Sequence, residues 1–155
     1  GAPIGCVATT FTFDGAFFEE HCLGRFADMD SDPTEDQRAY LIEREEKLAQ
    51  IFACVLVDRT QVTATRSLRW HLCPVTVPRG GILHAKVSLL VWERHVRVIV
   101  ASANLTEPGY RRNFEQAAVL DDDELAPPHA AVDRLVIERA PVRSSPRWGL
   151  FPISG

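Results

Sequence analysis

The chain has 155 residues, of which 46% are hydrophobic and 25% are charged, a composition that is typical of one compact globular domain. This composition excludes a disordered or collagen-like protein, and no run approaches the ~20 apolar residues that a membrane span requires. The net charge of -4 excludes a general electrostatic attraction for nucleic acid, because such attraction comes from an excess of lysine and arginine.

The charges are unevenly placed along the chain. Acidic residues crowd segments 28–46 and 121–124, whereas arginines concentrate between residues 59 and 112. An anion-binding site is therefore expected in the middle of the chain.

The cysteine pattern indicates in which cellular compartment the protein is expected. The four cysteines form no CxxC pair, and the apolar runs around them favour buried thiols over disulfides or metal ligands. This usage predicts a reducing compartment, the cytoplasm or, in a eukaryote, the nucleus.

The first half of the chain predicts a strand, two helices and a second strand. Residues 4–13 are rich in β-branched and aromatic residues, which favours a strand. Asp14 is an N-cap candidate for a helix over 15–26, and an acidic loop with Pro33 leads to a second helix over 38–50. The apolar run 51–58 predicts a strand that is covered on both faces.

The second half predicts further strands and a last helix. Pro74 interrupts a strand over 69–78 and places it near a sheet edge. The remaining predictions are a hairpin of strands 82–92 and 95–102, a strand over 113–121 and a helix over 127–138. Together they predict an α/β fold with a mixed sheet and flanking helices in one domain over 1–140, followed by a Pro-, Ser- and Gly-rich tail or linker over 141–155.

Polar side chains with phosphate chemistry gather in the predicted hairpin. Because side chains alternate along a strand, His84 and Lys86 project from one face. The loop after the next strand offers Ser102 and Asn104 close to this pair. The geometry of a hairpin is therefore expected to bring the four side chains together.

Imidazole, ammonium and amide groups suit a phosphoryl centre without a metal or other cofactor. The imidazole of His84 can attack phosphorus or protonate a leaving oxygen, while Lys86 and Asn104 hold the equatorial oxygens. A nucleophilic imidazole needs a carboxylate that accepts its other N–H, and Glu115 is the candidate for this role.

The order of these residues resembles a family motif. His84-x-Lys86, then Ser102-Ala103-Asn104-Leu105-Thr106, then Asn113-Phe114-Glu115 resembles the active-site motif of the phospholipase D superfamily. The resemblance implies a single phospholipase D-like lobe and phosphodiester cleavage through a phosphohistidine. Its catalytic residues would be His84, Lys86, Asn104 and Glu115, with Ser102 as a further phosphate ligand.

The sequence departs from the superfamily motif at two positions, and one of them indicates a particular branch of the superfamily. Val91 stands where the common motif has aspartate, and Ala101 stands where it has glycine. The missing aspartate resembles tyrosyl-DNA phosphodiesterases and related nucleases, which favours nucleic acid as the partner over lipid headgroups.

The resemblance also implies that one half of the site is missing. The superfamily uses two facing motifs, and no other histidine of this chain has a lysine two positions later. The second half is expected from an identical chain or from a second lobe of a longer protein, to which the tail over 141–155 would be a linker.

Several interpretations stay open at this point. Arg111 and Arg112 either contact the phosphates of a flanking nucleotide or lie on an exposed turn. For the three tryptophans, packing is favoured over base stacking. The alternatives to a nucleic-acid phosphodiesterase are a non-catalytic lobe that binds phosphate or nucleic acid, and a phospholipid-cleaving phospholipase D.

Overall fold

A computed structural model of the chain describes residues 1–32, 34–62 and 67–122. Within this part the chain forms one six-stranded mixed sheet, which confirms the predicted α/β class. Its strands are β1 (Pro3–Thr10), β2 (Phe52–Asp58), β3 (His71–Val75), β4 (Val87–Trp92), β5 (Val96–Ala101) and β6 (Ala117–Asp122). Their spatial order is β3-β2-β1-β4-β5-β6. The first three strands are parallel, and β4, β5 and β6 each run antiparallel to the preceding neighbour.

The helices begin where aspartates cap them. Asp14 accepts from the N–H groups of Ala16 and Phe17, and Asp36 does the same for two residues of the next helix. The helical elements are α1 (Gly15–Phe17), a π-helical segment (Phe18–Leu23), α2 (Gly24–Phe26), α3 (Gln37–Leu48), α4 (Glu107–Arg111) and two short 3₁₀ turns (Arg59–Gln61, Pro78–Gly80). The first three form the predicted helix over 15–26, and α3 is the predicted second helix.

The core lies between the sheet and the helices that connect β1 to β2. Val55 and Val57 of β2 are 0% exposed, and Phe18, Leu23 and Trp70 belong to the same buried cluster. The indole of Trp70 meets the ring of Phe13 edge-on at 5.2 Å between centroids. This cluster removes the apolar faces of both layers from water, which is the main stabilising term of the fold.

The strands are shorter than predicted where they approach the predicted site. β1 ends at Thr10, β4 begins at Val87 and β6 begins at Ala117, whereas the sequence pattern extended them to 13, 82 and 113. At these points backbone N–H groups donate hydrogen bonds to side chains, whereas within the sheet they donate to neighbouring strands. Asp58, for example, accepts the N–H of Leu83. His84 therefore lies in an irregular segment before the strand, and Lys86 directly precedes the first residue of β4.

The helix after β5, the exposure of the cysteines and the place of the Pro74 strand can each be compared with the sequence-based expectation. The segment after β5 holds a short helix, α4, that was not predicted, although Thr106 caps it and Pro108 lies in its first turn. Cys73 is exposed and Cys22 is partly exposed, so the expectation of four buried thiols is wrong. The strand with Pro74 is an edge strand, as predicted.

Some predictions fall outside the described residues. These are the helix over 127–138, the tail over 141–155 and the domain boundary at 140. Among the described helices, none is long and apolar enough to cross a membrane.

Candidate active site

The predicted site residues lie at one edge of the sheet, namely the edge that is formed by the ends of the strands. The carboxyl ends of β1, β2 and β5 meet there with the amino ends of β4 and β6, because the last two strands run in the opposite direction. His84 and Lys86 precede β4, Asn104 follows β5 and Glu115 precedes β6. This edge is where α/β sheets place their ligand sites.

Lys86 is the buried cation of this edge. Only 8% of the residue is exposed, and its Nζ donates to the carbonyl oxygen of His84 at 2.9 Å. Burial lowers the pKa of Lys86 below its ordinary value, and the negative charge of Glu115 partly raises it again. A desolvated ammonium of this kind attracts an anion more strongly than a solvated one does.

His84 lies in direct contact with this ammonium. The Nζ of Lys86 is 3.3 Å from Nδ1 and 3.4 Å from Nε2 of the imidazole. The ring is exposed and packs against the ring of Phe11 at 5.3 Å between centroids. The imidazole is therefore held by Phe11 and Lys86 and is still accessible to a substrate.

Asn104 is oriented by the backbone that follows β1. Its Oδ1 accepts from the N–H groups of Phe11 at 3.3 Å and Thr12 at 3.4 Å. Because both neighbours are donors, the atom between them is the amide oxygen, and the NH₂ group points elsewhere. Asn104 can thus present two N–H donors to an anion.

The backbone around Asn104 is fixed by two residues of the neighbouring segments. The buried hydroxyl of Thr10 accepts the N–H of Leu105 at 3.1 Å and donates to the carbonyl of Thr12 at 2.7 Å. A Cβ atom at Gly109 would lie 2.5 Å from the carbonyl oxygen of Asn104. Only glycine at position 109 lets α4 approach the asparagine this closely.

Glu115 does not hydrogen-bond His84 in this structure. Its carboxylate accepts from the hydroxyl of Ser102 and, at 3.3 Å, from Nδ2 of Asn113. The Ser102 hydroxyl in turn accepts the N–H of Gln116 at 3.0 Å. The hydrogen bonds of Glu115 therefore fix Ser102, and its charge acts on Lys86, whereas the predicted orientation of His84 by Glu115 stays a prediction.

Asp58 is a site-supporting residue that the sequence reasoning missed. This carboxylate at the end of β2 is 3% exposed. Its Oδ2 accepts the N–H of Leu83 at 2.6 Å, and its Oδ1 accepts both the N–H of Thr60 at 2.9 Å and the hydroxyl of Thr60 at 2.6 Å. These bonds lower the pKa of Asp58, with the Thr60 hydroxyl as the largest cause. Asp58 thereby anchors the residue that directly precedes His84.

The two candidate nucleic-acid contacts lie on or beside α4. Arg111 reaches Nδ1 of His21 at 3.3 Å, and Arg112 reaches the carboxylate of Glu107 at 3.4 Å. Arg112 is thus part of a surface ion pair, and phosphate binding by either arginine stays a prediction.

The predicted site residues differ in how closely the structure connects them. His84 and Lys86 are in contact, Asn104 is joined to His84 through Phe11, and Glu115 reaches Lys86 through charge alone. In sequence, the only signal for Thr10, Phe11 and Asp58 was their place at strand ends. Recognising it would have required knowledge of the sheet order. Among the described residues no three histidine, cysteine or acidic side chains form a metal-binding group.

Comparisons with known proteins found structural neighbours but no relative in sequence. No protein-family model matches the chain, and no curated protein matches it in sequence. Among solved structures, the chain is similar to yeast tyrosyl-DNA phosphodiesterase, with a TM-score of 0.41 and 10% identity over 68% of this chain and 22% of that chain. A mutant of the same yeast enzyme gives a TM-score of 0.45 and 11% identity over 87% of this chain and 30% of that chain.

A bacterial protein is also similar. Nuc from Salmonella typhimurium, a phospholipase D family member, gives a TM-score of 0.44 and 17% identity over 88% of this chain and 76% of that chain. The chain spans less than a third of the yeast enzyme's length and about three quarters of Nuc.

Proposed function

We propose that this edge of the sheet is one half of a phosphodiesterase site that acts on nucleic acid through a phosphohistidine. The observation that carries the proposal is the contact between an exposed imidazole, His84, and a buried ammonium, Lys86. Asn104, whose amide oxygen is held by the backbone after β1, is joined to His84 through Phe11. An accessible nitrogen nucleophile next to fixed N–H donors is what in-line attack on phosphorus requires.

The reaction proceeds in two displacements. In the first, a ring nitrogen of His84 bonds to phosphorus and the ester P–O bond breaks. The leaving oxygen takes a proton from the histidine of the second half-site. In the second, water attacks phosphorus, the N–P bond breaks, and the second histidine accepts the proton of the water.

Lys86 and Asn104 stabilise the charge that the phosphoryl oxygens carry in both steps. The ammonium of Lys86 is buried and already in place, and the NH₂ group of Asn104 is aimed by two backbone donors on its oxygen. Groups fixed in this way need little reorganisation when charge develops. Ser102 takes part through Glu115, whose charge helps to keep Lys86 protonated.

Nucleic acid is the proposed substrate, on the strength of the motif. Val91 stands where the common motif of the superfamily has aspartate, and the missing aspartate resembles the tyrosyl-DNA phosphodiesterase branch and related nuclease branches. Arg111 and Arg112 lie at the end of α4, the helix that follows the Asn104 loop, and are suited to the phosphates of flanking nucleotides.

The second half-site is proposed to come from an identical chain or from a second lobe of a longer protein. His84, Ser102 and Glu115 are all exposed, so this half alone does not exclude water from the reacting atoms. Apolar side chains next to the motif are exposed as well, with Ile82 at 54% and Phe114 at 109%. A partner surface that covers them would close the site.

The mechanism is proposed to need no metal, since Lys86, Asn104 and two histidines supply the charges and the proton transfers. We expect turnover of the complete assembly to survive strong chelation. Loss of turnover in EDTA that returns with divalent ions would contradict this part of the proposal.

The experiment that tests the proposed function is a crystal soaked with tungstate or vanadate, which imitate phosphate. We expect the anion within hydrogen-bond distance of Nζ of Lys86 and Nδ2 of Asn104, facing the imidazole of His84. Crystals of the Lys86→Met variant should leave this position empty. An anion bound elsewhere, with the cluster empty in the unaltered protein, would overturn the proposal.

A further inference from the structure

A cavity of about 560 Å³ lies beside the site, between the helical segment 15–26 and the face formed by β1, β4 and β5. Its walls are largely apolar and include Phe17, Phe26, Leu90, Trp92 and Ile99. The polar residues of the lining are His21, Ser88, Tyr110 and three arginines. Apolar walls with a few directed polar groups are the usual character of a small-molecule site.

The cavity begins next to Lys86 and Asn104, the proposed phosphate ligands. The N–H of Ala101 donates to the carbonyl of Lys86 at 2.9 Å, so Lys86 continues the β4 ladder. Ser88 therefore lies on the same face as Lys86, about 7 Å along the strand. Leu105, another wall residue, directly follows Asn104. A group attached to a phosphate at Lys86 and Asn104 is thus close enough to enter the cavity.

The backbone opposite β4 is unusual at this point. The segment Phe18–Leu23 is π-helical and carries His21 and Cys22, which both line the cavity. π-helical turns are rare and occur frequently at functional sites. The rings of Phe17, His21 and Tyr110, which all line the cavity, pack together, with 5.5 Å and 5.4 Å from the Phe17 centroid to those of His21 and Tyr110.

We propose that this cavity receives one unstacked nucleobase of the nucleotide next to the scissile phosphate, an inference that rests on the proposed function. Aromatic and aliphatic walls suit the two faces of a base, while His21, Ser88 and Tyr110 offer hydrogen bonds to its edge. A lipid acyl chain would offer no hydrogen bond to Ser88 or Tyr110, at a cost in free energy.

Charge at the rim agrees with a nucleotide. Arg25 and Arg111 line the cavity, and Arg111 is bonded to His21. The guanidinium of Arg97, a third lining residue, is paired with the carboxylate of Asp121. The phosphates that flank an inserted base would face Arg25 and Arg111. The cavity would make the enzyme act on single-stranded or frayed ends, because a paired base cannot enter.

The test compares ligands with and without a base. In the full chain, quenching of tryptophan fluorescence is measured with a thymidine dinucleotide, with the same backbone lacking bases, and with a short-chain phosphatidylcholine below its micelle concentration. The dinucleotide should quench, Trp92→Phe should remove most of the response, and Tyr110→Ala should weaken binding by about tenfold or more. Phe52→Ala, which removes an exposed aromatic ring that does not line the cavity, should change nothing.

The outcomes separate this inference from the proposed function. Saturation transfer from the unaltered chain to the base protons of thymidine supports the cavity without any variant, and its absence overturns the inference. Equal affinity for the base-bearing and the base-free backbone also overturns it, while tungstate bound at Lys86 would leave the proposed function standing. Stronger quenching by phosphatidylcholine than by the dinucleotide would assign the cavity to an acyl chain and overturn the inference.

Discussion

The ammonium of Lys86 lies 3.3 Å from Nδ1 and 3.4 Å from Nε2 of His84, and the same group donates to the His84 carbonyl at 2.9 Å. One buried cation thus holds both the ring and the backbone of its neighbour. Because of this contact, a change at Lys86 alters the position of His84 as well as the binding of phosphate, whereas a change at His84 leaves the cation in place.

Substitution at these two positions should therefore have different kinetic effects. In the complete assembly, His84→Ala should lower kcat by roughly four orders of magnitude or more with little change in substrate affinity, because it removes the nucleophile. Lys86→Ala should raise KM and lower kcat together, because a phosphate ligand acts in the ground state and the transition state alike. Steady-state kinetics on both variants provide the comparison, and equal effects on kcat and KM in both would contradict the assigned roles.

Asn104→Asp tests the direction in which the amide points. The carboxylate keeps an acceptor for the N–H groups of Phe11 and Thr12, so the fold should be retained. It replaces the NH₂ donors by a negative oxygen, which repels an anion. We expect an unchanged melting temperature and a loss of tungstate binding by titration calorimetry. Binding that survives would show that Asn104 does not face the anion.

Asp58→Asn tests the anchor of the His84 segment. An amide has one oxygen, so it cannot accept from both Leu83 and Thr60 as the carboxylate does. We expect the backbone before His84 to shift and kcat to fall by about 100-fold, the effect of a displacement near 1 Å at a reacting group. The imidazole NMR signals of His84 should move in the same variant.

A matched control exists for this substitution. Asp32 accepts the N–H of Thr34 at 2.7 Å and its hydroxyl at 2.6 Å, which is the turn that Asp58 makes with Thr60, but on the exposed loop before α3. Asp32→Asn should leave kcat and the His84 signals unchanged. A positioning role for Asp58 is refuted if both variants behave alike.

The lowered pKa of Lys86 predicts an alkaline limit to anion binding. Since burial disfavours the ammonium, it loses its proton below the ordinary value of 10.5, and tungstate affinity should fall as pH rises through this region. Folding should respond in the opposite sense, because the unfolded chain holds the proton more tightly there and stability rises with pH. Titrations at increasing pH check the first effect, and Lys86→Arg, which stays charged, should lack it.

The sequence predicted which segments form the strands and the main helices better than it predicted where the strands end. Alternating and continuous apolar runs placed all the described strands, and the Asp14 cap placed the first helix, because these signals are local. The ends of β1, β4 and β6 depend on side chains from distant segments, such as Asp58 on Leu83 and Thr10 on Leu105. No local pattern carries that information.

The site residues that the sequence missed likewise depend on contacts between distant segments, which no local pattern reveals. His84, Lys86 and Asn104 stand in a recognisable spacing, and the structure brings the first two into contact. Phe11 joins His84 to Asn104 from a strand end more than 70 residues earlier. Glu115 is directed to Ser102 by the backbone pairing of Ser102 with Gln116 at 2.9 Å, a pairing that the motif does not reveal.

The most direct test of the central claim is to trap the covalent intermediate. The complete assembly is mixed with a nucleic-acid phosphodiester substrate, quenched in base, where phosphohistidine is stable, and digested for mass spectrometry. We predict a phosphoryl or phosphonucleotide group on His84 that is absent from His84→Ala. Turnover without any adduct at His84, or an adduct on another residue of this chain, would contradict the account.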